Sequence, residues 1–161
     1  MAEAAPLPPS AERVRDALAA RGLVAEIRLF DAGTRTAADA AAAIGCSVAQ
    51  IAKSLVFRAS PSDRAILVMA SGVNRVDEAA LAALLGESIA KADAAFVRER
   101  TGFAIGGVAP VGHREQPVIF IDQTLLSYPE IWAAAGTPNA VFRLTPAQLV
   151  ELTGGRVASL A

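Results

Sequence analysis

The 161-residue sequence has one cysteine, one histidine and only two lysines, Lys53 and Lys91, against thirteen arginines. Cys46 alone cannot form an internal disulfide. One cysteine with one histidine excludes a Cys/His zinc site within the chain, and no carboxylate cluster suggests magnesium. Hydrophobic residues make up 53% of the chain, but alanine inflates that figure. No apolar run approaches the roughly 18 residues needed to cross a bilayer, so no membrane association is expected. The formal net charge of −1 lacks the basic excess of proteins that grip long stretches of nucleic-acid backbone. Binding to duplex DNA is therefore not expected, while contact with a few phosphates stays open. Several familiar sites are missing as well. "AKSL" carries a Lys-Ser pair without the glycines of a phosphate loop. Neither a GxGxxG fingerprint nor a G-x-S-x-G elbow occurs.

The opening "MAEAAPLPPSAER" has neither the basic nor the apolar region of a secretory signal. Its prolines and small residues read as a flexible lead-in over residues 1–9. No repeat or linker divides the remainder, so residues 10–161 read as one domain with a sizeable core, expected in the cytoplasm.

The elements follow from caps and patterning. Ser10 is placed to cap a first helix with Val14, Ala17 and Leu18 on one face and Gly22 beyond its end. "AEIRLF" (25–30) reads as a strand, and Thr36 opens an alanine-rich helix stopped at Gly45. "SVAQ" (47–50) fits a capping box and leads straight into a strand over 53–59. The "SPSD" turn then gives a hairpin with "AILVMA" (65–70). "SGVNRVD" leads into a helix ended by Gly86, and "SIAKA" (88–92) reads as a short strand. Asp93 caps a helix that stops at Gly102. "PVIFID" (117–122) is the strongest strand. "SYPE" (127–130) suggests a helix through Trp132 to near Gly136. "NAVFRL" (139–144) reads as a strand, and "TPAQ" (145–148) opens the last helix. Strands and helices do not alternate regularly. The expected class is therefore α/β in a mixed α+β arrangement, with a curled mixed sheet or partial barrel surrounded by helices.

Four features could carry chemistry, and each has two readings. Lys53 sits between apolar residues in "QIAKSLVF". It is either a lysine snorkelling at a strand end or an ammonium at the mouth of a cleft, pairing with a phosphate or oxyanion. "TGFAIGGVAPVGH" (101–113) packs four glycines and Pro110 before His113. Its free N–H groups either cradle an anion or carbonyl oxygen, or simply form a bulged turn. "GTPN" (136–139) is either an ordinary connector or a pocket wall. His113 is either a hydrogen-bonded surface residue or a catalyst.

Taken together, "AKSLVF", "SGVNRVD", "GFAIGGVAPVGH" and "AGTPNAVFRLTPAQL" resemble the YbaK family, editing domains related to the insertion domain of bacterial prolyl-tRNA synthetase. They occur in the family's order, and the resemblance covers the chain from about residue 10 to its end. It implies a deacylase that acts in trans on a mischarged aminoacyl-tRNA, without metal or organic cofactor. By that resemblance Lys53 holds the tRNA 3′ end, and Gly106 and Gly107 present backbone to the ester carbonyl. Val108, Ala109, Pro110 and Gly112 complete that loop, and Gly136, Thr137, Pro138 and Asn139 border the amino-acid pocket. His113 stays peripheral. The implied partner is the acceptor end of an aminoacyl-tRNA, with transient contact to prolyl-tRNA synthetase or an elongation factor. The expected substrate is tRNA-Pro carrying alanine or another small residue. Ala109 stands where many relatives carry serine, and "GTPNA" lacks a histidine that some relatives carry in that loop. Without the resemblance, the same residues also fit a non-catalytic tRNA-end or synthetase-binding module. Another small-ester hydrolase, or a Schiff-base enzyme using Lys53, is the weaker alternative.

Overall fold

The computed structural model describes residues 6–30 and 36–161. Most of the lead-in, residues 1–5, lies outside them. Helices α1 (Pro9–Ala20), α2 (Ala37–Ile44), α3 (Glu78–Leu85), α4 (Ala94–Thr101) and α5 (Pro146–Thr153) surround one sheet. Its strands are β1 (Ile27–Leu29), β2 (Ile51–Ser60), β3 (Ala65–Ser71), β4 (Ser88–Lys91), β5 (Val118–Asp122), β6 (Ile131–Ala134), β7 (Ala140–Leu144) and β8 (Arg156–Ala158). The order is β1-β7-β6-β2-β3-β5-β8, with β4 also paired to β2. The sheet is mixed, as expected from the irregular alternation, and open. β2 runs parallel to β6, as β5 does to β3 and β8; the other pairs are antiparallel.

Both faces are covered. The larger core packs Val14 and Leu18 of α1, Val97 of α4 and Leu149 of α5 against Leu67, Met69, Ile121, Ala133 and Phe142. On the other face Leu81 of α3 meets Phe57, Ile66, Val68 and Phe120. Ala40 and Ala41 of α2 cover Ile51, with Trp132 beside them. β3 is buried along its whole length. Such a strand is apolar on both faces because helices lie over both.

Most local signals hold. Thr36, Asp77, Asp93 and Thr145 each accept a backbone N–H at the start of a helix, and Gly45, Gly86, Gly102 and Gly154 end their helices in the left-handed conformation. "SVAQ" makes one 3₁₀ turn, in which Gln50 Oε1 accepts the Ser47 N–H, before β2. At the β2–β3 turn Asp63 pairs with Arg58 and, at 2.7 Å, with Arg100, and both guanidiniums lie over the Phe96 ring.

Two expectations are corrected. The first helix begins at Pro9 with Pro8 at the cap position, and Ser10 makes no capping bond. Proline's fixed φ suits the first turn, where its missing N–H costs nothing. The helix expected from "SYPE" does not form. A 3₁₀ turn over Gln123–Ser127 precedes it, and Ile131–Ala134 is β6. Pro129 biases Tyr128 to extended backbone, which Tyr128 adopts at φ −113° and ψ 146°. Ile131 and Ala133 then alternate into the core while Trp132 turns to α2. β8, at the chain's end, carried no clear sequence signal.

Candidate functional site

The "SGVNRVD" segment closes the end of β3 through a buried carboxylate. Asp122, at the end of β5, accepts the Ser71 N–H at 3.1 Å, Asn74 Nδ2 at 2.8 Å and the Thr124 N–H at 3.0 Å. Three donors on one carboxylate satisfy it in the interior. They also fix the turn that carries Arg75 and Val76 beside β2. Ser71 and Asn74 are therefore structural, and what they position is the wall of a cleft.

That cleft is a cavity of about 370 Å³. Lys53 to Phe57 of β2 form one wall, and Arg75, Val76 and Glu78 another. Lys91 of β4, Ala92 just after it and Val97 of α4 add a third, and Ile105, Gly106 and Val108 close the remaining side. Lys53 and Gly106, far apart in sequence, thus line one space. So do both of the chain's lysines, joined by Arg75. Arg75 and Lys91 had no assigned role in the sequence. The lysine's scarcity was the available signal for Lys91, and nothing but its neighbours marked Arg75. None of the three cations makes a salt bridge among the described residues. The cavity therefore pairs a cationic rim with apolar walls, an arrangement that takes a ligand with an anionic end and an apolar end.

The glycine-rich stretch is anchored at both ends and open in the middle. Phe103 is buried, with the Arg13 guanidinium of α1 4.3 Å from its ring centre. Val108, Ala109, Pro110 and Val111 are buried as well. Ile105 and Gly106 are exposed at the cavity mouth. Gly106 has φ +87°, so the left-handed backbone explains that glycine. Gly107 has a different reason. A Cβ there would lie 2.7 Å from the Thr137 Cα, so the loop rests backbone to backbone on the 136–139 turn. The Gly107 N–H is engaged within its own turn, donating to the Ala104 carbonyl.

The 136–139 turn is held just as firmly. Thr137 Oγ1 donates to Asn139 Oδ1, and Asn139 Nδ2 donates to the Phe30 carbonyl. A Cβ on Gly136 would lie 2.5 Å from the Ser10 carbonyl oxygen, and one on Gly112 would touch Ala17. Both glycines face α1. Lys53, Gly106 and Val108 therefore border the cavity, with Pro138 against Gly106. Gly107, Gly112, Gly136, Thr137 and Asn139 support the loops from behind.

His113 packs its ring edge-on to Phe103, and its Nε2 lies 2.6 Å from the Ala109 carbonyl oxygen. A carbonyl only accepts, so Nε2 carries the proton. Burial pushes the imidazole pKa down; the Ala109 bond opposes this, and the charges of Arg13 and Arg21 add to it. The unfolded chain then binds more protons below the ordinary value of 6.5, so stability is lost as pH falls through that value toward the folded pKa. The urea midpoint is expected to drop between about pH 7.5 and pH 5, and His113→Gln to flatten that slope. An unchanged slope in the variant would remove His113 as its source. Among the described residues no group of three or more His, Cys, Asp or Glu side chains is placed to hold a metal ion.

Residues 31–152 match the family model of the aminoacyl-tRNA editing domain. An uncharacterised Bacillus subtilis protein, YwhH, is 33% identical over 132 residues, covering 82% of this chain and 83% of that one. The crystal structure of a candidate trans-editing enzyme for prolyl-tRNA synthetase superposes with a TM-score of 0.92 at 49% identity. That match covers 96% of this chain and 98% of the other. A scaffold protein used for computational grafting of linear epitopes superposes with a TM-score of 0.91 at 46% identity, over the same shares.

Proposed function

We infer, from the premise that this chain belongs to the aminoacyl-tRNA editing domain family, that it hydrolyses the ester of a mischarged aminoacyl-tRNA in trans. The substrate proposed is tRNA-Pro carrying alanine or another small non-cognate residue. One observation carries the reading. Lys53, with no salt bridge among the described residues, and the exposed backbone of Gly106 line a single cavity with apolar walls.

The chemistry asks little of the protein. An aminoacyl ester is already activated, and water must add to its carbonyl to form a tetrahedral oxyanion. Lys53 takes a phosphate of the terminal nucleotide and fixes the ester in the cavity. The Gly106 N–H has no partner among the described residues and is free to face the developing oxyanion. One such donor is worth about 10²–10³ in rate. The neighbouring ribose hydroxyl orients the attacking water. The tetrahedral intermediate then breaks its bond to the esterified ribose oxygen, which takes up the water's proton and leaves as the tRNA's terminal hydroxyl, with the free amino acid as the other product. Val56, Val97 and Val108 leave room for a small side chain. A methylene is worth only about 1–3 kcal/mol of discrimination in one pocket, so a synthetase gains from a second one that hydrolyses its errors. Transient contact with prolyl-tRNA synthetase or an elongation factor would bring the domain to its substrate in time.

The test is a deacylation panel of small amino acids on tRNA-Pro, tRNA-Ala and tRNA-Thr. Alanine release from alanyl-tRNA-Pro is the expected result. A panel left wholly intact would overturn the enzymatic reading, and retained binding would then favour a non-catalytic module.

A further inference from the structure

β2 is paired without interruption along one edge and broken along the other. On the β3 side its register runs from Ala52 to Arg58. On the opposite edge β6 pairs with Ile51 and Ala52, and β4 with Phe57 to Ser60. Ala134, the last residue of β6, comes level with Lys53 without pairing to it, and β4 pairs no further back than Phe57, so no strand pairs with Lys53 to Val56 on this edge.

Strand alternation fixes where the main-chain groups in the break point. The carbonyls of Ile51 and Ala59 accept bonds on the β3 side, from the N–H groups of Gly72 and Asp63. Odd-numbered residues therefore turn their polar groups toward β3. The Val56 carbonyl accepts the Ala92 N–H on the other side, so even-numbered residues turn theirs outward. The Ser54 N–H and C=O and the Val56 N–H thus face the break, with no backbone partner there among the described residues. Ser54 and Val56 both line the cavity. The Ser54 hydroxyl does not fill the break, since it is turned to Met69 Sδ at 3.3 Å.

An unpaired strand edge is a template for another piece of main chain. The aminoacyl group of a charged tRNA is one residue of main chain, with an ammonium donor and an ester carbonyl. We propose that the break in β2 is the subsite for this group, with the Ser54 carbonyl accepting a hydrogen bond from its α-ammonium. This rests on the reading of the chain as an aminoacyl-tRNA deacylase. Charge supports the orientation. Lys53, Arg75 and Lys91 repel an ammonium from the rim, and the Ser54 carbonyl offers it a negative dipole at the strand. The bond is charge-assisted, hence stronger than one between neutral groups. Glu78, exposed at the start of α3, is the only carboxylate lining the cavity among the described residues and the competing partner for the ammonium.

The experiment compares an aminoacyl-tRNA that turns over in the panel with its α-hydroxy counterpart, which has the same side chain but no ammonium. Each rate is divided by the spontaneous hydrolysis rate of the same ester, because the ammonium also activates the carbonyl chemically. The α-hydroxy ester is expected to lose about 10- to 100-fold. Equal normalised rates overturn the subsite. Glu78→Gln is expected to keep the preference; its disappearance there assigns the ammonium to Glu78 and overturns the proposal too. The amide resonances of Ser54 and Val56 are expected to shift on titration with a stable 3′-aminoacylamino analogue of adenosine, and unmoved resonances count against it equally. A panel without any turnover removes the deacylase reading, and the subsite with it. Turnover with equal rates removes the subsite alone.

Discussion

Lys53→Ala is expected to lose about 100-fold or more in deacylation, a loss of the order seen when one charge-stabilising donor is removed from an active site. The fold should survive. Lys53 is half-buried on β2 and makes no salt bridge among the described residues, so truncation strands no buried partner. Its stability should stay within about 1 kcal/mol of the parent. Lys53→Arg separates charge from shape. A planar guanidinium keeps the charge but presents it as a wide, rigid fork, and is expected to recover only part of the rate. Steady-state kinetics on alanyl-tRNA-Pro with a urea titration of each variant make the comparison. Full activity in Lys53→Ala would remove the residue from the site.

Gly136→Ala should produce the largest loss of stability, about 3 kcal/mol or more. Two costs combine. The residue has φ +97°, where a side chain is strained by about 1–3 kcal/mol. Its Cβ would also be forced to 2.5 Å from the Ser10 carbonyl, and a backbone neighbour cannot swing away. At this chain length each kcal/mol moves the midpoint by roughly 2–4 °C, so a fall of about 10 °C is expected by calorimetry. The KM of the folded protein at low temperature should change little, because Gly136 faces α1 and not the cavity. A large rise in KM with an unchanged melting temperature would place Gly136 in direct contact with the substrate.

That contrast marks the limit of what the sequence disclosed. Asp93, Thr145 and the glycines after the helices act through neighbours three or four positions away, and their roles were readable. The "SYPE" segment obeyed the same local logic and failed, because the sheet needed a strand between β2 and β7. Glycine was ambiguous for a physical reason. Gly106 is needed for its left-handed backbone, Gly107 for contact with Thr137 and Gly136 for contact with Ser10. All three look alike until the opposing backbone is known. Lys53 and Gly106 could be paired in advance only through the family resemblance. Arg75 and Lys91 were out of reach because their common neighbour, the middle of β2, is a product of tertiary pairing.

The break in β2 also bears on how the molecule behaves in a crowd of its own copies. An exposed strand edge invites pairing with the same edge of another chain, and that is a route to aggregation. Here the exposed run is short, spans only the residues between Ala52 and Phe57, and is capped by β6 and β4 at its ends. Lys53 lies within it, and Arg75 and Lys91 line the same cavity. Like charges meeting across two such edges would repel. The cations that would suit the cavity to a nucleic-acid end would therefore also oppose edge-to-edge pairing between copies, so the same few residues would serve both ends.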